Sequence, residues 1–515
     1  MKTHLDNRAL SHRPSITGVL FAVQVVLTFQ IFFISYAAEV LSVGAAKSDI
    51  TNYDAGPVND PLYVKALTIK SEAQTLVIIT VDAVALAEIG PIGNAYLPSV
   101  RTRLNQELGV DPKLVLVNAS HCHGIVCDDV AERTVQVVKE AVEHTVPVLV
   151  GAGSGHEDRI MENRRYKLNS GEETDSRHAY SMPPDEAVAD VGPIDPEIGL
   201  LRLDREDGRT LAVVYNFACH PIMGVPSHGN TADIAGFASK VIEENLGDDT
   251  LALFLQGFAG DVNPAFYKDT DHPRDAEPLG NLLGLSALRA LHGIECSKEA
   301  NLRVLNETIP LPRADLAPRI AALESEQTRL LHSLKGTSLN LKTFLPLAVK
   351  YGLSPEYPSH YAHRYLHEAA VGREDLKALD AENRENMKAY VENIHTMEAL
   401  TRLQTNLDLL RKHQAENQAA GNAPAEAEIL GVRIGNFALV TFPGEPTVQI
   451  GLNIKERSPH ELTFTAGCTN GYLYYAPTAE QLRNSGAAQE DSDCLLAPEW
   501  QQLYEDRVAA ILKRL

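Results

Sequence analysis

Three apolar runs in this chain each end in a side chain of metal-ligand type, and that repetition constrains what it can fold into more than any other feature. Leu114-Val-Leu-Val-Asn-Ala-Ser-His121-Cys-His123-Gly124 closes on two histidines, and Leu211-Ala-Val-Val-Tyr-Asn-Phe-Ala-Cys-His220-Pro221 closes on one. A third run, Val432 to Phe442, reads as a hairpin leading into Pro443-Gly444-Glu445-Pro446. An α/β scaffold delivers its functional groups at strand ends, so the three segments are expected to converge. Two histidines and a glutamate form a set that holds zinc and leaves a position open for water. Residues two apart in extended chain share a face, which predicts that His121 and His123 address one small volume, one on the metal and the other handling protons. An isolated His-x-His is as often a buried pair satisfied by neighbouring backbone. The recurrence downstream is what favours a site.

The surrounding pattern alternates strands and helices. Leu76 to Val81 is a continuous apolar run ending in Asp82, and Val100, Leu104 and Leu108 then share one helical face. Asp129-x-x-Glu132 reads as a capping box for a helix carrying Val135, Val138 and Val142. A strand over 211–219, a helix over 233–246 closed by Gly247 and a strand over 251–256 continue the pattern. Residues 43–515 are therefore expected to form one large α/β domain with a mixed β-sheet core flanked by helices. Periodicity fails between about 155 and 195, which predicts a long surface loop. Asn163-Arg164-Arg165 lies there, offering either an arginine for a polar substrate group or a solvated charge pair. Residues 313–420 turn rich in Leu, Glu, Lys, Gln and Ala at helical spacing, predicting a helical insertion in which Leu400, Leu403, Leu407 and Leu410 make a packing stripe.

Acidic residues outnumber basic ones by 68 to 46, a net charge of −22, which argues against nucleic acid or an anionic membrane surface as the principal partner. Ile16 to Ala38 carry no charge and follow Arg8, His12 and Arg13, so residues 1–38 have the layout of a secretory signal, with Ser35-Tyr-Ala37 as a cleavage site. The run is long enough to remain as a membrane anchor, but Gln24 and Gln30 weaken a permanent span. A secreted or periplasmic protein is expected, with membrane contact only through residues 16–38. The low aromatic content, 6%, gives little hint of a lipid-insertion surface. Six cysteines (122, 127, 219, 296, 468 and 494) are too few for a disulfide scaffold, although an exported chain can oxidise a pair. Cys122 and Cys219 adjoin the proposed ligands, and small buried fillers are their expected role rather than thiolate ligands.

Gln256-Gly-Phe-Ala-Gly260-Asp261-Val262-Asn263-Pro264 follows a strand, and its glycines would let backbone N–H groups approach a ligand; a plain strand-to-loop turn is the alternative. Taken with Ser-His121-Cys-His123-Gly, Asn-Phe-Ala-Cys-His220-Pro, Pro-Gly444-Glu445 and Asn470-Gly-Tyr-Leu-Tyr-Tyr475-Ala-Pro-Thr478, in this order, the segment resembles the neutral ceramidase family over residues 43–515. The resemblance implies a large α/β catalytic domain holding one zinc and hydrolysing the ceramide amide. It makes His121, His220, Glu445 and Tyr475 the zinc ligands and puts His123 close to the metal-bound water. Tyr475 comes from the resemblance alone, since a buried tyrosine is usually packing, and Tyr472 and Tyr474 stand beside it.

Two positions depart from the family pattern. Asn263 stands where ceramidases carry serine, so a role needing a hydroxyl is lost, although an asparagine can still donate to a carbonyl oxygen. Ala487 stands where the family has a tyrosine beyond the ligand tyrosine. The family's immunoglobulin-like C-terminal domain is expected to be absent, because a helical pattern over Leu503 to Leu515 follows soon after the Tyr475 motif. Asp233, in Asn230-Thr-Ala-Asp233, is expected to cap a helix or orient a ligand histidine. The sequence thus reads as an exported zinc hydrolase of a small-molecule or lipid-like acyl-amide or ester, with His123, Asn263 and Tyr475 as catalytic residues. A secreted binding protein that retains metal without turnover is the rival.

Overall fold

The computed structural model describes residues 40–515 apart from 177–181, 184, 248, 299, 360–361, 422 and 485–487. Residues 1–38, where a secretory signal is expected, and Ala487 lie outside the described residues. The apolar runs pair into an eight-stranded mixed sheet in the order Leu251–Gln256, Thr210–Phe217, Glu197–Arg205, Val146–His156, Ser42–Asp49, Tyr63–Lys70, Thr75–Val81 and Val115–Ala119. Only the two outer pairs run parallel, and the strands ending near His121 and His220 belong to these pairs.

Those pairs lie at opposite ends of the strand order, yet the sheet curls until the ends meet. Asn118, fully buried in the last strand, accepts from the Gln256 N–H of the first strand at 3.0 Å. Its amide nitrogen donates to the Gly467 carbonyl at 2.7 Å and to the Thr469 hydroxyl at 2.9 Å. A second sheet, Leu302–Leu311, Ala425–Ile434, Phe437–Thr441 and Thr463–Ala466, brings the hairpin that precedes Glu445. Its Ile434, Leu439 and Phe464 share one apolar core with Leu201, Val214 and Leu253 of the first sheet. Buried Asn216 stitches the join, donating to the Leu255 and Thr465 carbonyls, both at 2.9 Å.

Helix Val130–Glu143 packs on the strands Ser42–Asp49 and Tyr63–Lys70, and Asp233–Leu246 packs on Ala276–Leu291. The expected capping box at Asp129 does not form: both Asp129 carboxylate oxygens accept from Arg133, and Glu132 pairs with Arg103. Arg133 one turn on and Arg103 from the helix Tyr96–Leu108 take these carboxylates as ionic partners in place of the backbone donors. The stretch read as a loop over 155–195 holds, among the described residues, four short strands, Met161–Asn163, Arg165–Leu168, Glu173–Asp175 and Val188–Val191, three of which form a small sheet. Strands of three or four residues are too short to register as periodicity. Residues 313–420 contain the helices Ala317–Ser333, Leu341–Leu353, Ala362–Ala370 and Asp375–Ala420 and, among the described residues, no strand. Leu400, Leu403, Leu407 and Leu410 are buried on the last of these.

Asn118→Asp keeps the side-chain volume while removing both donor bonds and adding a buried charge. Each buried polar group left unpaired costs about 1–3 kcal/mol, so a stability loss of about 2–5 kcal/mol is expected, read as a lowered thermal midpoint beside the wild type.

Candidate metal centre

Strand Val115–Ala119 stops short of its histidines. His121 sits at φ 67°, in the left-handed region, so the extended-chain pairing with His123 expected from the sequence does not occur. The turn buries His121 and leaves His123 exposed, the rings edge to face with centroids 5.9 Å apart. His123 borders a surface depression of about 230 Å³ that Met223, Asn230, Thr231 and Arg274 also line.

Each buried histidine is fixed by one backbone carbonyl. His121 Nδ1 donates to Val84 at 2.6 Å, and His220 Nδ1 donates to Val262 at 3.0 Å. In a neutral imidazole, a ring proton committed to a carbonyl leaves the other nitrogen as a lone pair for a metal. Both Nε2 atoms face Glu445 Oε2, at 3.2 Å from His121 and 2.9 Å from His220. One donor atom from each of the three buried residues lies within 4.8 Å of the others. Ligands about 2.0–2.2 Å from a tetrahedral ion are themselves about 3–3.5 Å apart, so the donor set fits a divalent cation of this kind.

The two rings differ in their electrostatics: although burial opposes it, Glu445 and Cys468 raise the His121 pKa well above its ordinary value. Burial and the nearby Arg164 guanidinium push the His220 pKa down to about 4, against the pull of Glu445, which keeps its ring neutral. Although burial opposes it, His121 and His220 hold the Glu445 carboxyl well below the usual range. All six cysteines are free, and burial pushes the Cys122, Cys219 and Cys468 thiols up. Neutral fillers fit that better than thiolate ligands do. Cys468, which the sequence did not single out, has its sulfur 3.5 Å from His121 Nδ1.

Tyrosines complete the wall. Glu445–Pro446 and Tyr475–Ala476 pair as a short parallel bridge that sets Glu445 opposite Tyr475. The Tyr475 hydroxyl lies 3.4 Å from His220 Nε2, and the two rings are stacked. Tyr472 donates its hydroxyl to Glu445 Oε1, a contact that the sequence does not betray. Tyr474, at φ 58°, turns away to pack on His413.

The glycines of the 256–264 segment do not serve a ligand through their N–H groups. Gly257 N–H bonds to Phe217 and Gly260 N–H to Pro446. They are needed because the chains run too close for a side chain: a Cβ on Gly260 would lie 2.5 Å from the Glu445 carbonyl oxygen. Asn263 beyond them is buried, accepts from Arg164 at 2.8 Å and leaves its amide nitrogen without a partner among the described residues. Arg164 and Arg165 are not a solvated pair. Both are buried, Arg164 bonded to Glu490 at 2.8 Å and Arg165 gripping Asp491 at 2.8 and 3.0 Å. The Arg164 guanidinium also lies 5.6 Å from the Tyr475 ring centre. Asp233 begins its helix, but its carboxylate accepts from the Met223, Gly224 and Ile234 N–H groups. It ties the loop after His220 to that helix and touches neither ligand histidine directly.

Together these features define an α/β fold with a buried His–His–Glu centre at the meeting of its strand ends. The sequence matches no protein-family model and no curated protein. Among solved structures, neutral ceramidase from Pseudomonas aeruginosa matches over 93% of this chain and 75% of its own, with a TM-score of 0.57 and 18% identity. A ceramidase complexed with C2 matches over 93% and 76%, with a TM-score of 0.59 and 18% identity. The chain has the neutral ceramidase fold.

Tyr472→Phe strips Glu445 of a buried donor. Loss of such a supporting hydrogen bond typically costs 10–100-fold in metal affinity, so a drop of about that size is expected in chelator competition, with Tyr474→Phe near the wild type.

Proposed function

We propose that the chain is a member of the neutral ceramidase family and an exported zinc-dependent hydrolase of an N-acyl amide or, in a second form of the same chemistry, an ester. The convergence of His121, His220 and Glu445 on one point carries this reading, within a fold that matches neutral ceramidase structures. Residues 43–515 are its catalytic domain, with 313–420 as a helical insertion. A zinc ion held there would polarise the acyl carbonyl and bring the pKa of a bound water towards ~7.

The chain's own groups divide the remaining work. His121 and His220 turn their Nε2 atoms towards one point, held by Val84 and Val262, and Glu445 supplies the negative charge. Tyr475, with its hydroxyl 3.4 Å from His220 Nε2, would add a fourth ligand. His123, exposed beside His121, takes the proton from the attacking water and returns it to the leaving group. The unpartnered Asn263 amide is a ready donor to the substrate carbonyl, held in place by Arg164. Arg164 is a positioning residue, since its guanidinium is committed to Glu490 and Asn263.

An amide donor in place of the family's serine hydroxyl changes the shell around the scissile bond. Such changes shift discrimination by a few kcal/mol, so ceramide should be a poorer substrate than another acyl-amide or ester. A panel of acyl-amides and esters assayed with and without chelator tests the reading. Hydrolysis that stops with chelator and returns with zinc is expected. Bound metal with no turnover on any member would instead favour a binding protein. His123→Ala should keep its metal and lose about 10²–10⁴ in kcat; if metal is lost as well, His123 is a ligand.

A further inference from the structure

Helix Leu341–Leu353 carries two apolar faces, and only one of them is covered. On the inner face Phe344 packs on Tyr390 with ring centres 4.7 Å apart, and the Tyr351 hydroxyl bonds Asp380 at 2.8 Å. Both partners belong to the long helix Asp375–Ala420. On the opposite side Leu341, Leu345, Val349 and Leu353, each four residues from the last, are 59%, 52%, 60% and 82% exposed. A stripe at that spacing lies along one helix surface. The neighbouring helix Ala362–Ala370 is pinned to the same Asp380 through Tyr365 and exposes Leu366 at 62%. A helix apolar on both sides normally has both sides buried, and an exposed apolar face of this kind marks a contact surface.

Charge selects what the face meets. Residues 336–355 contain Lys342 and Lys350 and no acidic residue, in a chain whose net charge is −22. Neither lysine makes an ion pair among the described residues. A second copy would set this lysine-flanked stripe against its like, whereas an apolar stripe edged by lysines suits a bilayer surface with anionic headgroups. We propose that helix Leu341–Leu353 is an interfacial helix that seats the protein on an anionic lipid surface. This goes beyond the hydrolase reading and does not depend on it. It adds a second membrane contact to the one expected from residues 16–38.

Indole fluorescence on the full chain tests the helix directly, because the single native tryptophan, Trp500, is fully buried. In Val349→Trp the added indole should shift to shorter wavelength with phosphatidylcholine/phosphatidylglycerol vesicles and be quenched by brominated acyl chains, while wild-type emission stays constant. The response should weaken with phosphatidylcholine alone and at high salt. In a Lys342→Glu/Lys350→Glu version of that variant, vesicle affinity of the helix should fall roughly tenfold or more. An indole that stays unquenched while the protein floats with the vesicles would overturn the proposal, leaving any attachment to another segment. A blue shift without lipid that tracks a concentration-dependent dimer, abolished by Leu345→Glu, would assign the face to a second copy instead.

Discussion

The Asn118 side chain is the interaction on which the centre depends, because it joins the two ends of the main sheet. An open mixed sheet of eight strands would leave the loops after its first and last strand pairs far apart. By accepting from Gln256 and donating to Gly467 and Thr469, one buried amide ties the outer strands to each other and to the segment after the second sheet. His121 follows Asn118 by three residues, so the amide that closes the sheet also fixes where the first ligand turns inward. Asn216 does the same on the other side, four residues before His220.

The second constraint is charge. A carboxylate as buried as Glu445 is costly unless cationic or hydrogen-bonding partners surround it. Here two imidazoles and a phenol face it, and both imidazoles are already held from behind by carbonyls. Around this lies a rim of buried ion pairs, Arg164 with Glu490 and Arg165 with Asp491. Their acidic members lie in the segment whose Asp493 carbonyl accepts from the Tyr475 N–H. Tyr475, Asn263 and the rim are therefore joined by direct contacts, Arg164 bonding Glu490 and Asn263 and lying 5.6 Å from the Tyr475 ring centre, so a substitution at Arg164 would be felt at the tyrosine.

Much of this was legible in the sequence where the signal is local. Apolar runs located the strands that precede His121, His220 and Glu445, Gly247 marked the end of its helix, and leucine spacing revealed the buried side of Asp375–Ala420. What stayed hidden depends on partners hundreds of residues away. Arg164 and Arg165 looked like loop residues because nothing in their neighbourhood announces Glu490 and Asp491. Tyr472 and Cys468 reach the site only because Asn470 and the Asn118 bridge fold that segment back. The left-handed turn at His121 also escaped, since no glycine signals it. The outer face of Leu341–Leu353 was submerged in a generally helical composition, and only exposure separates it from the packing stripe.

The central claim is that His121, His220 and Glu445 hold one metal through nitrogen and oxygen with no sulfur, and X-ray absorption at the zinc edge of the purified, zinc-loaded protein tests it most directly. The account predicts a first shell of nitrogen and oxygen at about 2.0–2.2 Å with outer scattering from two imidazoles, and its loss in His220→Ala. A sulfur contribution near about 2.3 Å, or a spectrum unchanged in that variant, would contradict it.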